Sequence, residues 1–220
     1  MATKNTLISP NVIEVLDRLF TAAEESETAL HQLAQSEASR LITSKSEYRE
    51  FYGLMKDIPL PVSRETGSLL YMLTRSTRAQ SILEFGTSYG VSTIYLAAAL
   101  RDNGGGRIIT TEFESSKVAR ARQNLTEAGL MDLVEIREGD ALQTLAHDLP
   151  ETLDLVLLDG AKALYTDILE CVDQRLHPGS LVIADDSHRC PDYVQSIRAA
   201  GHKYLSVPLT DDVELSMRLS

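Results

Sequence analysis

The chain contains no apolar run approaching the roughly 18 to 20 residues that span a bilayer, so no membrane-spanning helix is expected. Its start, Met1-Ala-Thr-Lys-Asn-Thr-Leu7, lacks the apolar stretch of a secretory signal. There are two cysteines, Cys171 and Cys190, too few for a disulfide framework and without zinc-ligand spacing. Two reduced thiols in a cytoplasmic protein are the expectation. Basic residues are in deficit: 21 Lys and Arg against 32 Asp and Glu give a net charge of −11, and no basic run offsets it. Such a chain repels phosphate backbones and anionic bilayers, which argues against nucleic acid and membrane partners.

What is present suits a soluble α/β domain. At 220 residues, 43% of them apolar, the chain can bury one substantial core. An amphipathic helix is predicted from Val12, Ile13, Val15, Leu16, Leu19, Phe20 and Ala23, and a second, more polar one over about 25–42. Ile58-Pro-Leu-Pro-Val62 breaks the pattern, and Ser63 is placed to cap the next helix. From Ser81 onward, β-type runs alternate with helical ones: 81–85, 107–112, 134–138, 153–158 and 180–184 are the strands. The short Thr210-Asp211-Asp212 link predicts that 204–208 and 213–219 close the chain as an antiparallel hairpin. The pattern predicts a doubly wound, mostly parallel seven-stranded sheet. Residues 1–57 are read as a helical lead-in and 58–220 as the cofactor-binding domain.

Ligands of such sheets lie outside the carboxyl ends of the strands. Each strand of the parallel core ends in or just before an acid: Glu84, Glu112, Asp140, Asp159 and the pair Asp185-Asp186. A single acid there is commonly a cap or a solvated charge; a series along one rim suggests a site. The turn Gly86-Thr-Ser-Tyr-Gly90 joins the first strand to a helix. Taken alone it is equally an ordinary βα turn and a nucleotide-type cofactor loop. A nicotinamide dinucleotide site would need G-x-G-x-x-G against a pyrophosphate, and here Glu84 stands where the first glycine would be. A carboxylate there would repel pyrophosphate and favour a cationic nucleoside such as S-adenosylmethionine. Glu112 is then expected to accept both ribose hydroxyls, and Asp140 to meet the adenine amino group.

Leu83-Glu-Phe-Gly-Thr-Ser-Tyr-Gly-Val-Ser-Thr93, Gly139-Asp-Ala-Leu142, Leu158-Asp-Gly-Ala-Lys162 with Tyr165, and Ala184-Asp-Asp186 occur in this order. In these motifs the chain resembles the class I S-adenosylmethionine-dependent O-methyltransferases of the catechol and caffeoyl-CoA type, which have the Rossmann-like methyltransferase fold. The resemblance implies cofactor contacts at Val62, Ser63, Glu84, Gly86, Ser92, Glu112, Asp140 and Ala141, with Ser92 holding the methionine carboxylate. It implies a divalent cation such as Mg²⁺ on Asp159, Asp185 and Asp186, and Lys162 as general base beside Asp159. It also implies a homodimer and a small hydroxylated acceptor, aromatic or a natural-product hydroxyl. An amine acceptor and a non-catalytic cofactor binder are the alternatives.

Two departures fall on the acceptor side. Asp186 replaces the usual Asn, and only Ser187–Lys203 separate it from the next strand, where the family has a long insertion. Without a metal, three clustered carboxylates should repel, raising the pKa of one, which could then itself be the base. Tyr165 is read as a packing residue, His188 as a solvated loop side chain, and Cys190 as unreactive.

Overall fold

The computed structural model describes residues 5–36, 40–42 and 44–220. Helices α1 (Pro10–Ala34), α2 (Tyr48–Leu54) and α3 (Arg64–Thr77) precede the sheet. From β1 (Ser81–Phe85) the chain alternates: α4 (Val91–Asp102), β2 (Arg107–Glu112), α5 (Ser115–Glu127), β3 (Val134–Glu138), α6 (Ala141–Thr144) and β4 (Leu153–Leu158). It continues through α7 (Tyr165–Val172), β5 (Leu176–Ala184), α8 (Pro191–Ala199), β6 (Tyr204–Pro208) and β7 (Glu214–Arg218). The sheet order is β3-β2-β1-β4-β5-β7-β6. The first five strands pair in parallel, whereas β7 runs antiparallel to both β5 and β6. This is the expected α/β sheet with its closing hairpin.

The helix expected separately over 25–42 is instead largely a continuation of the first. No glycine or proline stands between Pro10 and Gly53, so nothing interrupts α1 before Ala34. Residues 37–39 of that expected span lie outside the described residues. Helix α2 went unread, although Tyr48, Phe51, Tyr52 and Met55 carry the i, i+3, i+4, i+7 spacing of a helix face.

The period of two along each strand divides the core. Ile82, Ile108, Leu155 and Leu157 face the layer of α1, α3, α4 and α5, whereas Leu83, Phe85, Ile109, Val156 and Leu158 face α6, α7 and α8. Helix α4 is buried from Val91 to Leu100, between the sheet and α3. Gly67 of α3 allows that close approach: a Cβ there would stand 2.4 Å from Tyr95 Cε2 of α4. The Tyr95 ring is itself buried and cannot swing into solvent. Gly67→Ala would gain about 1 kcal/mol in helix propensity, yet overpacking a fixed ring costs about 1–3 kcal/mol. We therefore expect Gly67→Ala to lower the melting temperature, measured by circular dichroism; an increase would show that Tyr95 yields freely.

Candidate active site

One cavity of about 1130 Å³ opens along the carboxyl ends of the parallel strands, beneath α1 and α2. The chain enters it at the β1–α4 turn. Gly86 has φ 106°, and a Cβ on it would lie 2.6 Å from the Asp159 carbonyl oxygen, so only glycine lets β1 and β4 end this close together. Ser88 also takes a left-handed backbone, φ 46°. That bend turns its amide toward Glu112, donating to Oε2 at 2.9 Å, while its Oγ accepts from the Leu60 amide at 3.2 Å.

Glu112, the last residue of β2, lines the cavity. Its Oε1 accepts from the Glu114 amide at 3.0 Å. Each carboxylate oxygen thus keeps acceptor capacity for a ligand hydroxyl. Burial raises the Glu112 pKa, against the lowering effect of these amides and Lys117. Lys117, unnoticed in the sequence, lines the same end, and burial lowers its pKa.

Glu84 is not where the rim argument placed it. Its side chain has no solvent exposure and points, in phase with Ile82, into the α4 layer. Hydroxyls of Ser92, Thr93 and Thr110 all donate to its carboxylate. Burial outweighs these three donors and pushes the carboxyl up to about 7. Ser92 is likewise turned inward, its hydroxyl spent on Glu84. The strand period puts the Glu84 side chain under the helix rather than into the large cavity. Neither lines the cavity.

The other predicted positions divide similarly. Gly86, Ser63 and Ala141 line the cavity, while Val62 is buried behind it. Ser63 caps α3, accepting from the Thr66 amide at 2.9 Å, as its place in the sequence suggested. Asp140 is engaged twice: Oδ1 accepts from the Leu142 amide at the start of α6, and Oδ2 pairs with Arg49 of α2 at 2.6 Å. That ion pair anchors α2 over the adenine end expected for Asp140, a partner the sequence did not reveal.

At the opposite end stand Asp159, Lys162, Asp185 and Asp186. The Lys162 ammonium lies 3.1 Å from Asp159 Oδ1 and 3.2 Å from Asp186 Oδ2, and donates to Tyr165 Oη at 2.8 Å. Tyr165 passes its own hydrogen to the Asp185 carbonyl at 2.8 Å. It therefore packs, as read, and also orients the lysine. Burial would lower the Lys162 pKa, but Tyr165, Asp159, Asp186 and Tyr52 hold it well above the ordinary value. Burial, with Asp159 close by, pushes Asp185 up to about 7. Burial also raises Asp159, while Lys162 and Arg189 hold Asp186 below the usual carboxylate range. Among the described residues, no three His, Cys, Asp or Glu side chains converge as a metal-holding group.

The chain is similar to known proteins in sequence and fold. Residues 83–187 match the family model described as a methyltransferase domain. A catechol O-methyltransferase of Niastella koreensis is 36% identical over 130 residues, 58% of each chain, and one of Mycobacterium tuberculosis is 32% identical over 127 residues. The chain thus spans little more than half the length of these curated relatives. Among solved structures, the Streptomyces achromogenes O-methyltransferase TomG, involved in tomaymycin synthesis and bound to S-adenosylmethionine, is 28% identical with a TM-score of 0.63. The match covers 84% of this chain and 91% of TomG. A Bacillus cereus O-methyltransferase with S-adenosylhomocysteine shares the fold, with TM-score 0.68 and 24% identity over 92% of this chain and 100% of that one. Over residues 83–187 the chain is thus similar to a methyltransferase domain, and its fold is the one these O-methyltransferases have.

The buried Glu84 yields a pH signature. Its carboxyl titrates near 4.5 when exposed and near 7 when folded. Between these values the folded chain keeps a proton that the unfolded chain has lost, so stability falls as pH rises through this window. The cost above pH 7 is on the order of 3 kcal/mol. Glu84→Gln removes the titration with little change of shape. The variant's melting temperature, relative to the parent without added cofactor, should climb from pH 4.5 to 7.5; a flat difference would refute the assignment.

Proposed function

We propose that this chain transfers the methyl group of S-adenosylmethionine to a hydroxyl of a small acceptor. The observation carrying this reading is that Glu112, the glycine turn and the Asp159–Lys162 cluster all line one cavity, with Gly86 packed against the Asp159 backbone between them. Its volume, about 1130 Å³, is somewhat above the range of common small-molecule sites, which suits a cofactor and an acceptor side by side. S-adenosylmethionine fits the donor set, because Glu112 retains acceptor capacity for two ribose hydroxyls on an amide-fixed carboxylate. When bound, it supplies an electrophilic methyl group on a sulfonium.

Methyl transfer is an in-line displacement, so the protein's main task is to hold an acceptor oxygen behind that methyl group. Tyr48, Phe51, Tyr52 and Met55 give the cavity an apolar wall, and Tyr52, which stands by Lys162, favours an aromatic or otherwise apolar acceptor over a highly charged one. The acceptor proton would pass to a carboxylate of the Asp159–Asp185–Asp186 rim. Hydroxyl acceptors are preferred to amines because the relatives are named O-methyltransferases.

A divalent cation on Asp159, Asp185 and Asp186 is the finer expectation of the resemblance. The side chains as arranged do not fit one: their oxygens do not converge, and an ammonium stands between two of them. Cytoplasmic location accords with the two unpaired thiols, Cys171 and Cys190. Among the described residues, no helix is long and apolar enough to cross a membrane. The charge of −11 speaks against nucleic acid partners. A homodimer through the N-terminal helices is a further expectation of the resemblance.

Isothermal titration with S-adenosylhomocysteine tests the cofactor assignment directly. We expect saturable binding, weakened by about 10- to 100-fold in Glu112→Ala, the scale for losing hydrogen bonds to a charged group. Binding of NAD⁺ in place of S-adenosylhomocysteine would overturn the reading.

A further inference from the structure

The rim acids raise a problem of charge. Asp159, Asp185 and Asp186 lie at the ends of two neighbouring strands, paired in parallel, and all border one cavity. Asp186 adds a third carboxylate where the resemblance leads one to expect a neutral Asn. An uncompensated carboxylate beside two others in a partly buried site is costly. The structure supplies the compensation from within the chain. Lys162 reaches between Asp159 and Asp186, 3.1 Å and 3.2 Å away, and is 7% exposed. Its Nζ is fixed from a third direction by Tyr165 Oη, which is itself tied to the Asp185 backbone.

Backbone geometry keeps this pairing in place. Asp186 has φ 52°, a left-handed conformation that Asn and Asp adopt more readily than other non-glycine residues. Position 186 therefore accepts either side chain on the same backbone, and the exchange changes charge alone. With Asp, the carboxylate binds the lysine. With Asn, Lys162 would lose one of its two anionic partners.

We propose that the Lys162 ammonium is the resident cation of this site, occupying the place between Asp159 and Asp186 that a divalent metal would need. It thereby keeps such metals out and presents its positive charge to the acceptor oxygen. This rests on the methyltransferase reading for its consequence but not for its test. In the transfer itself, an oxygen lone pair forms the new bond to the methyl carbon while the carbon–sulfur bond breaks toward sulfur. The hydroxyl proton passes to a rim carboxylate. Lys162 keeps its own protons and stabilises the oxygen as negative charge develops on it.

Mn²⁺ alone is the probe, with binding read from loss of the free-ion electron paramagnetic resonance signal. The full chain should leave that signal unchanged. Lys162→Met removes the ammonium and should raise Mn²⁺ affinity by about tenfold or more, a gain that Lys162→Met with Asp159→Asn should lose. Lys162→Gln replaces Lys162→Met if the latter fails to fold by circular dichroism. Binding of Mn²⁺ by the unmodified chain that Asp159→Asn abolishes would overturn the proposal. So would absence of binding in both the chain and its folded lysine variants, because the carboxylates would then be no cation site at all. Titration of the same samples with S-adenosylhomocysteine separates the two ideas. Cofactor binding together with native Mn²⁺ binding defeats only the lysine proposal, whereas loss of cofactor binding defeats the methyltransferase reading.

Discussion

A carboxylate cut off from water sits at the junction of three elements. Glu84 of β1 accepts hydroxyl hydrogens from Thr110 of β2 and from Ser92 and Thr93 in the first turn of α4. A buried acid is tolerable only with such partners, and its position near a helix N-terminus adds a favourable field whenever it is ionised. The consequences run outward from this point. Fixing α4 against β1 fixes the turn between them, where Gly86 must pass within van der Waals contact of the Asp159 backbone. Fixing β2 sets the register that brings Glu112, two residues beyond Thr110, to the cavity. The site's geometry is therefore secured by a group the ligand need not touch.

That hub also shows what a sequence reveals and what it hides. Strand–helix alternation exposed the sheet, its closing hairpin and the end of the molecule that holds the cavity, because these follow from hydrophobic period and short connections. Glu112, Asp159, Asp185 and Asp186 were found by the same rule and do border the cavity. Glu84 followed the rule by position but not by direction. It alternates with Leu83 and Phe85, so its side chain leaves the strand toward α4, as does that of Ile82. The phase was readable; the hydroxyls waiting on the other side, from residues 8, 9 and 26 positions away, were not.

The N-terminal third was read least well, for a related reason. Helix α2 has seven residues, so its apolar face repeats barely twice. Its position depends on distant ion pairs, Arg49 with Asp140 and Lys45 with Asp167, and on the edge-on contact of Tyr48 with Phe113. Pairings across roughly a hundred residues leave no local pattern. Yet Tyr48, Phe51, Tyr52 and Met55 give the cavity an apolar wall, so that wall was the part least accessible from motifs.

Charge balance links the two ends of the cavity. Glu65, Glu112 and Glu114 line the cavity, while Asp159 and Asp186 share the Lys162 ammonium. The field inside is negative, as the whole chain's net charge of −11 would suggest. Under the proposed reaction this field favours a sulfonium over the neutral thioether left after transfer, so the same acids that draw the cofactor in hold its product less firmly. A phenolate acceptor would meet the opposite effect and be repelled until its charge could be matched locally. Lys162 is the buried cation at that end of the cavity among the described residues. Its fixed place between Asp159 and Asp186 confines the region favourable to an oxyanion to a few ångströms. On this account an acidic site can methylate an oxygen because the positive charge it lacks overall is concentrated where the oxygen must stand.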